Sequence, residues 1–138
     1  VHHRIRRRDM DILSAAKERL AAFGYKVTDD DNSALEYNIR RAEAYLIAQT
    51  NQKQVPDGLE YVWVDMAVGM FLADKKATGA LGDTYTFDAP VKSVSEGDTS
   101  VTFAISDAGS AEDQFNAVIS KMINPSAEVI AAYRKLVW

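Results

Sequence analysis

The stretch LEYVWVDMAVGMFLADKKA, residues 59–77, decides the fold. Leu59, Val62, Trp63, Met66, Ala67, Met70 and Phe71 recur at three- and four-residue spacing, which lays a wide apolar stripe along a helix. A stripe this wide needs partners on more than one side, so the helix should form the centre of a core. Pro56, Asp57 and Gly58 open it. Lys75 and Lys76 lie in its last turn, where cations suit the helix dipole, and Gly79 should end it. Trp63, Met66 and Met70 read as core rather than as a ligand pocket, because Met and aromatic side chains fill irregular interiors.

Upstream, Leu13, Ala16, Leu20 and Phe23 mark a short amphipathic helix over Asp11 to Phe23, closed by Gly24 in the position that favours a left-handed residue. Asp29, Asp30, Asp31, Asn32 and Ser33 then precede a second helix running to Thr50, with Leu35, Ile39, Ala42 and Leu46 as its buried stripe. Any of the last three can cap it, and negative charge suits a helix start. The Asp run does not fit a calcium loop, since no Gly stands at the sixth loop position and no Glu at the twelfth.

Downstream the period changes. Residues 80–90 are rich in Gly, Asp, Thr and Pro. Val91-Lys92-Ser93-Val94-Ser95, the turn Glu96-Gly97-Asp98, and Thr99 to Ile105 with Val101, Phe103 and Ile105 alternating predict a β-hairpin over 91–105. A lone hairpin is marginal in water and must lean on helices or on another chain. Ser110 and Asp113 form a capping-box pair ahead of a helix with Phe115, Val118, Ile119 and Met122 inward. Asn124-Pro125 should break that helix and start a last one, over Pro125 to Trp138. The expected fold class is therefore mainly α, a small bundle of four to five helices with one inserted β-hairpin.

Composition agrees with one soluble domain. The chain has 138 residues, 47% hydrophobic and 26% charged, which suits a single globular core. The longest apolar stretch, Tyr61 to Ala73, is interrupted by Asp65 and too short to cross a bilayer, so no membrane partner is expected. No signal peptide is legible, because Arg4 to Arg8 are followed by Asp9 and Asp11 rather than by an apolar run. Residues 1–9 are expected to be a basic, disordered leader to one domain over 10–138. Charge is uneven: residues 1–26 carry seven Lys/Arg against three Asp/Glu, and residues 27–138 carry nine against seventeen. So acidic a body argues against tight nonspecific DNA binding, which needs basic surface to displace counterions from phosphate.

The sequence lacks the parts of an enzyme. There is no Cys, hence no thiolate nucleophile, disulfide or Cys-based zinc site. The histidines are His2 and His3, within the basic leader, so no Ser-His pair is available to the body. Gly79-Ala80-Leu81-Gly82 lacks the spacing and the Lys-Ser/Thr ending of a phosphate loop. Carboxylates are plentiful, but nothing in their spacing marks a converging pair. We expect no enzyme activity, no cofactor and no metal.

The most informative local feature is the final segment. Val129, Ile130, Tyr133, Leu136, Val137 and Trp138 interleave with Arg134 and Lys135, and large apolar side chains so close to the last residue need cover. That cover is either the chain's own core or a partner, for which Trp, Tyr and Arg are the enriched anchors. Three pieces of the sequence resemble the head–tail connector, or adaptor, proteins of long-tailed bacteriophages and prophages. They are Val55-Pro56-Asp57-Gly58-Leu59-Glu60-Tyr61 opening the apolar helix, Val91 to Phe103 with its Ser95-Glu96-Gly97-Asp98-Thr99 centre, and the ending Tyr133-Arg134-Lys135-Leu136-Val137-Trp138. The resemblance covers most of the chain from Met10 onward.

The resemblance implies a structural virion protein. Such proteins form a ring, usually of twelve copies, beneath the portal protein after DNA packaging. They extend the DNA channel and offer a platform to the next connector, stopper or tail protein. Packaged double-stranded DNA would pass through without sequence-specific binding. The expected location is the virion head–tail interface, with assembly in the bacterial cytoplasm. Ile130, Tyr133, Leu136 and Trp138 are the expected portal anchors, with Arg134 and Lys135 pairing to portal carboxylates. Lys92, Glu96, Gly97, Asp98 and Thr99 are expected on a hairpin facing a neighbouring subunit or the channel. A small acidic helical binding module, regulatory or assembly-related and monomeric or dimeric, is the alternative class.

Overall fold

The computed structural model describes residues 2–82, 84–95 and 109–136, and these contain helices and turns but no strand. Among the described residues six α-helices follow one another: α1 (His2–Ala22), α2 (Asn32–Thr50), α3 (Glu60–Ala77), α4 (Asp88–Ser95), α5 (Ala111–Ile123) and α6 (Ala127–Ala131). Short 3₁₀ turns at Asp29–Asp31 and Asp57–Leu59 lead into α2 and α3. The periodic segment from Asp11 is the second half of α1, which includes the basic residues that the sequence reading sets apart as a leader.

The apolar stretch is central, as its width requires. α3 packs against α1, α2 and α5, and buries residues on nearly every face, including Trp63, Met66, Ala67, Val68, Phe71 and Leu72. Gly69 lets α5 come close: a Cβ there would stand 3.1 Å from Ile123 Cγ1 and 3.1 Å from Met122 Cβ. The Trp63 indole N–H donates to the Ile39 carbonyl at 2.8 Å and fixes α3 against α2. The α1 stripe Ala16, Leu20 and Phe23 and the α5 stripe Phe115, Val118, Ile119 and Met122 are buried as their spacing predicts. Gly24 ends α1 at φ +80°, with its N–H on the Ala21 carbonyl and that of Tyr25 on Leu20, the paired bonds of a left-handed stop. Gly79 ends α3 in the same way.

The expected β-hairpin is not seen among the described residues. Its first strand, Val91 to Ser95, is the body of α4, while Glu96 to Ile105 lie outside the described residues. Two causes act together, the spacing within the segment and its burial against other helices. Val91 and Val94 stand three apart, which puts both on one side of a helix and on opposite sides of a strand. Asp88 and Pro90 suit a helix's first turn, where negative charge is favoured and no amide is needed. Buried Pro90 and Val94 turn toward the core as α4 packs on α1 and α5.

The 80–90 stretch also contributes to the packing. Tyr85 and Phe87 bring two rings against Phe115, with centroids 6.0 and 4.9 Å away, and Tyr25 joins the cluster at 6.5 Å from Tyr85. The Tyr85 hydroxyl donates to the Phe23 carbonyl at 2.9 Å, and burial pushes its pKa up to about 12. This cluster plugs the junction of α1, α3 and α5.

Candidate functional site

The C-terminal segment departs from the single long helix expected of it. Asn124 closes α5, with its side-chain amide donating to Ser120 O at 2.9 Å, and Pro125 stands ahead of Ser126, the residue before α6. α6 is only five residues long. A helix so short contributes little by itself; side chains and main-chain bonds to α2 hold it. Beyond it the chain lies across the end of α2. The Lys135 N–H donates to Thr50 O at 2.7 Å and the Arg134 Nε to Gln49 O at 3.0 Å. In return Asn51 Nδ2 donates to Lys135 O at 3.1 Å and Gln52 Nε2 to Tyr133 O at 2.6 Å. The last turn of a helix has carbonyls without helical partners and a partial negative charge, so a basic segment is a natural cap.

This geometry divides the predicted anchors. Ile130 is buried in its own bundle, so its expected role as a portal anchor is corrected to core packing. Tyr133 is half-buried against Gly58, where a Cβ would overlap its ring; the missing side chain is what admits the tyrosine. Arg134, Lys135 and Leu136 remain exposed, Leu136 at 69%. Trp138 lies outside the described residues, as do Glu96, Gly97, Asp98 and Thr99. Lys92 is exposed on α4 rather than on a hairpin.

Two further surfaces carry features that the sequence did not announce. A groove of about 540 Å³ runs between α1 and α3, floored by Ile12, Ala15 and Val64 and edged by Glu18, Glu60 and Asp65. Tyr61 stands 87% exposed at its edge. Arg19 Nε meets Asp65 Oδ1 at 3.2 Å inside it. Burial pushes the Asp65 carboxyl up, and Arg19 only partly offsets this. On α2, Tyr37 and Tyr45 are 61% and 43% exposed, and the Arg41 guanidinium lies 5.7 Å from the Tyr37 ring centre.

The most concentrated polar chemistry is structural. The buried Asp31 carboxylate accepts from Tyr25 Oη at 2.9 Å, from Thr28 N at 3.1 Å and from Thr28 Oγ1 at 3.2 Å, and pairs with Lys75 Nζ at 2.8 Å. Burial alone would raise its pKa, but the bonds from Lys75, Thr28 and Tyr25 together outweigh that and hold it below the usual carboxylate value. Asp31 therefore faces inward and makes no side-chain cap on α2, contrary to the expected capping role. Lys75, read as a helix-dipole cation, is its partner across 44 residues of sequence; only the fold brings them together. Among the described residues no three His, Cys, Asp or Glu side chains cluster as metal ligands, and no helix is long and apolar enough to cross a membrane.

Comparison with known proteins finds no matching family model, no similar curated protein and no similar solved structure.

Proposed function

We propose that this chain is a head–tail connector: a ring-forming structural protein that docks beneath a portal after DNA packaging and offers a platform to the next connector or tail. The observation that carries the reading is the segment Tyr133 to Leu136. Its backbone is pinned to the end of α2, yet it leaves Arg134, Lys135 and Leu136 on the surface. A pinned segment loses little further freedom on docking, which favours binding. Its residue types, two cations beside an apolar side chain, suit a partner surface with carboxylates around an apolar recess.

Two further features support the same role. The sequence motifs at Val55 to Tyr61 and Tyr133 to Trp138 are those that resemble connectors. An acidic chain, with a net charge of −4, suits a channel wall past which DNA must slide, since strong phosphate binding would retard it. The anchors in this reading are Arg134, Lys135, Leu136 and Trp138, with Tyr133 positioning them from its seat at Gly58.

The test is co-sedimentation with purified portal rings followed by particle imaging. A symmetric collar beneath the portal is expected. Truncation after Tyr133 should abolish docking and leave the helical circular dichroism unchanged. Undiminished docking would overturn the tail assignment, and folded full-length protein that forms no collar would overturn the connector reading.

A further inference from the structure

We infer that Gly58 is a positioning residue for the docking segment: it is the seat of a latch whose bolt is the Tyr133 ring, and the latch holds Arg134 to Leu136 in the arrangement a partner meets. The use of that arrangement rests on the connector reading; the latch itself does not.

Of residues 131–136 all are exposed except Tyr133, which is half-buried. Its ring is therefore the one side chain of this stretch that packs on the bundle. The rest of the attachment is hydrogen bonding to residues 49–52. The Lys135 N–H and Arg134 Nε donate to the Thr50 and Gln49 carbonyls, and the Asn51 and Gln52 side-chain amides donate to the Lys135 and Tyr133 carbonyls. Bonds at an exposed helix end exchange readily for bonds to water, so each adds little net stability. A segment held by one packed ring and solvent-accessible bonds lies at the low-stability end of a structure, where local opening precedes global unfolding.

Gly58 is the fixed half of the latch. It lies in the 3₁₀ turn Asp57–Leu59 ahead of α3, and Val55 and Leu59 on either side of it are 1% and 0% exposed, so the core anchors this turn. A Cβ on Gly58 would stand 2.5 Å from Tyr133 Cζ and 2.8 Å from Cε1, and closer still to the hydroxyl. No side chain fits there beside the ring, and with the turn anchored it is the ring that must leave. Gly58 does not share the positive φ of Gly24, Gly79 and Gly82. Its backbone accepts alanine, so the position requires the absence of a side chain, not the conformational freedom of glycine.

When the ring leaves its seat, Arg134, Lys135 and Leu136 lose their fixed place on the end of α2. A partner that recognises the closed arrangement binds only the closed fraction, and its apparent affinity falls with that fraction.

Limited trypsin digestion read by intact mass tests the latch without a partner. Trypsin cuts after Arg134 and Lys135, and it needs the chain free of its bonds to α2, so the cleavage rate follows the open population. Gly58→Ala should raise this rate about tenfold and leave the helical circular dichroism unchanged. Tyr133→Ala, which withdraws the bolt and keeps the seat, should do the same, while Tyr133→Phe, which keeps the ring, should match wild type. Combining Gly58→Ala with Tyr133→Ala should give cleavage no faster than Tyr133→Ala alone, because the added methyl then has no ring to displace. Unchanged cleavage in either single variant, or a Gly58→Ala effect that persists in full without the ring, overturns the latch. Collar formation on portal rings reads its use. Gly58→Ala should lower collar occupancy at limiting protein concentration, and undiminished occupancy overturns the positioning role. Folded wild type that forms no collar overturns the connector reading instead, and the cleavage rates still decide the latch.

Discussion

Replacing Asp31 with alanine should be the most damaging single change to a polar residue in this protein. The substitution removes the acceptor of four contacts: the Tyr25 hydroxyl, the Thr28 amide and hydroxyl, and the Lys75 ammonium. The Asp31 side chain is 5% exposed and that of Lys75 23%, so the lysine can recover some water but the tyrosine and threonine donors recover little. Breaking one partner of a buried pair costs about 3–5 kcal/mol, and the exposure of Lys75 puts the expected loss near the lower end, about 3 kcal/mol. A domain has about 5–15 kcal/mol in all, so this is a large share. With a urea slope of about 1–3 kcal/mol per molar, the midpoint should fall by about 1–3 M.

The loss must also depend on pH, and its sign follows from the direction of each shift. The Asp31 pKa is held down in the fold, so its contribution is present above the unfolded carboxyl value, about 3.9, and is lost as pH falls through the folded value. Lys75 is held up, chiefly by its bond to Asp31. Its contribution is present below the unfolded lysine value, about 10.4, and is lost as pH rises through the folded one. Urea unfolding followed by circular dichroism, at neutral pH and well below the carboxyl range, gives both measurements. The gap between wild type and Asp31→Ala should be wide at neutral pH and narrow in acid. A gap under about 1 kcal/mol at neutral pH, or one undiminished in acid, would refute the assignment of a buried, charged Asp31.

Other changes probe different parts of the structure. Gly69→Leu should lower stability by about 1–3 kcal/mol, because its side chain must displace Met122 and Ile123 while helix propensity alone would favour leucine; a thermal melt reads the loss. Asp65→Asn should behave oppositely to Asp31→Ala. The Asp65 pKa is raised by burial, so its favourable contribution lies below the unfolded carboxyl value and is lost as pH rises through the folded one. Relative to wild type, the variant should therefore gain stability as pH rises through the carboxyl range, and a gap that moves the other way would refute the desolvation of Asp65.

Residues 59–77 were enough to place the central helix, because an apolar stripe at helical spacing is a property of neighbours in sequence. The same holds for the stripes of α1, α2 and α5, for the stops at Gly24 and Gly79, and for the capping box, in which the Asp113 N–H donates to Ser110 Oγ at 3.1 Å. α4 was misread because turn-forming residues and β-branched side chains around it favour a hairpin locally. Burial of Pro90 and Val94 against α1 and α5 is a long-range term that local propensity does not contain.

The candidate surfaces divide along the same line. That the terminal segment carries cations among large apolar side chains is plain from its order of residues. Which of those residues face outward depended on the end of α2, whose unpaired carbonyls take the Lys135 amide and the Arg134 side chain. Asp31 looked like one more helix-start carboxylate until the fold set Tyr25 and Lys75 beside it. The α1–α3 groove had no sequence signature at all, since Ile12, Glu18, Tyr61 and Asp65 come from two helices separated by a third. Short-range order follows from covalent neighbours and their spacing; what a surface presents follows from which distant neighbours the core has already consumed.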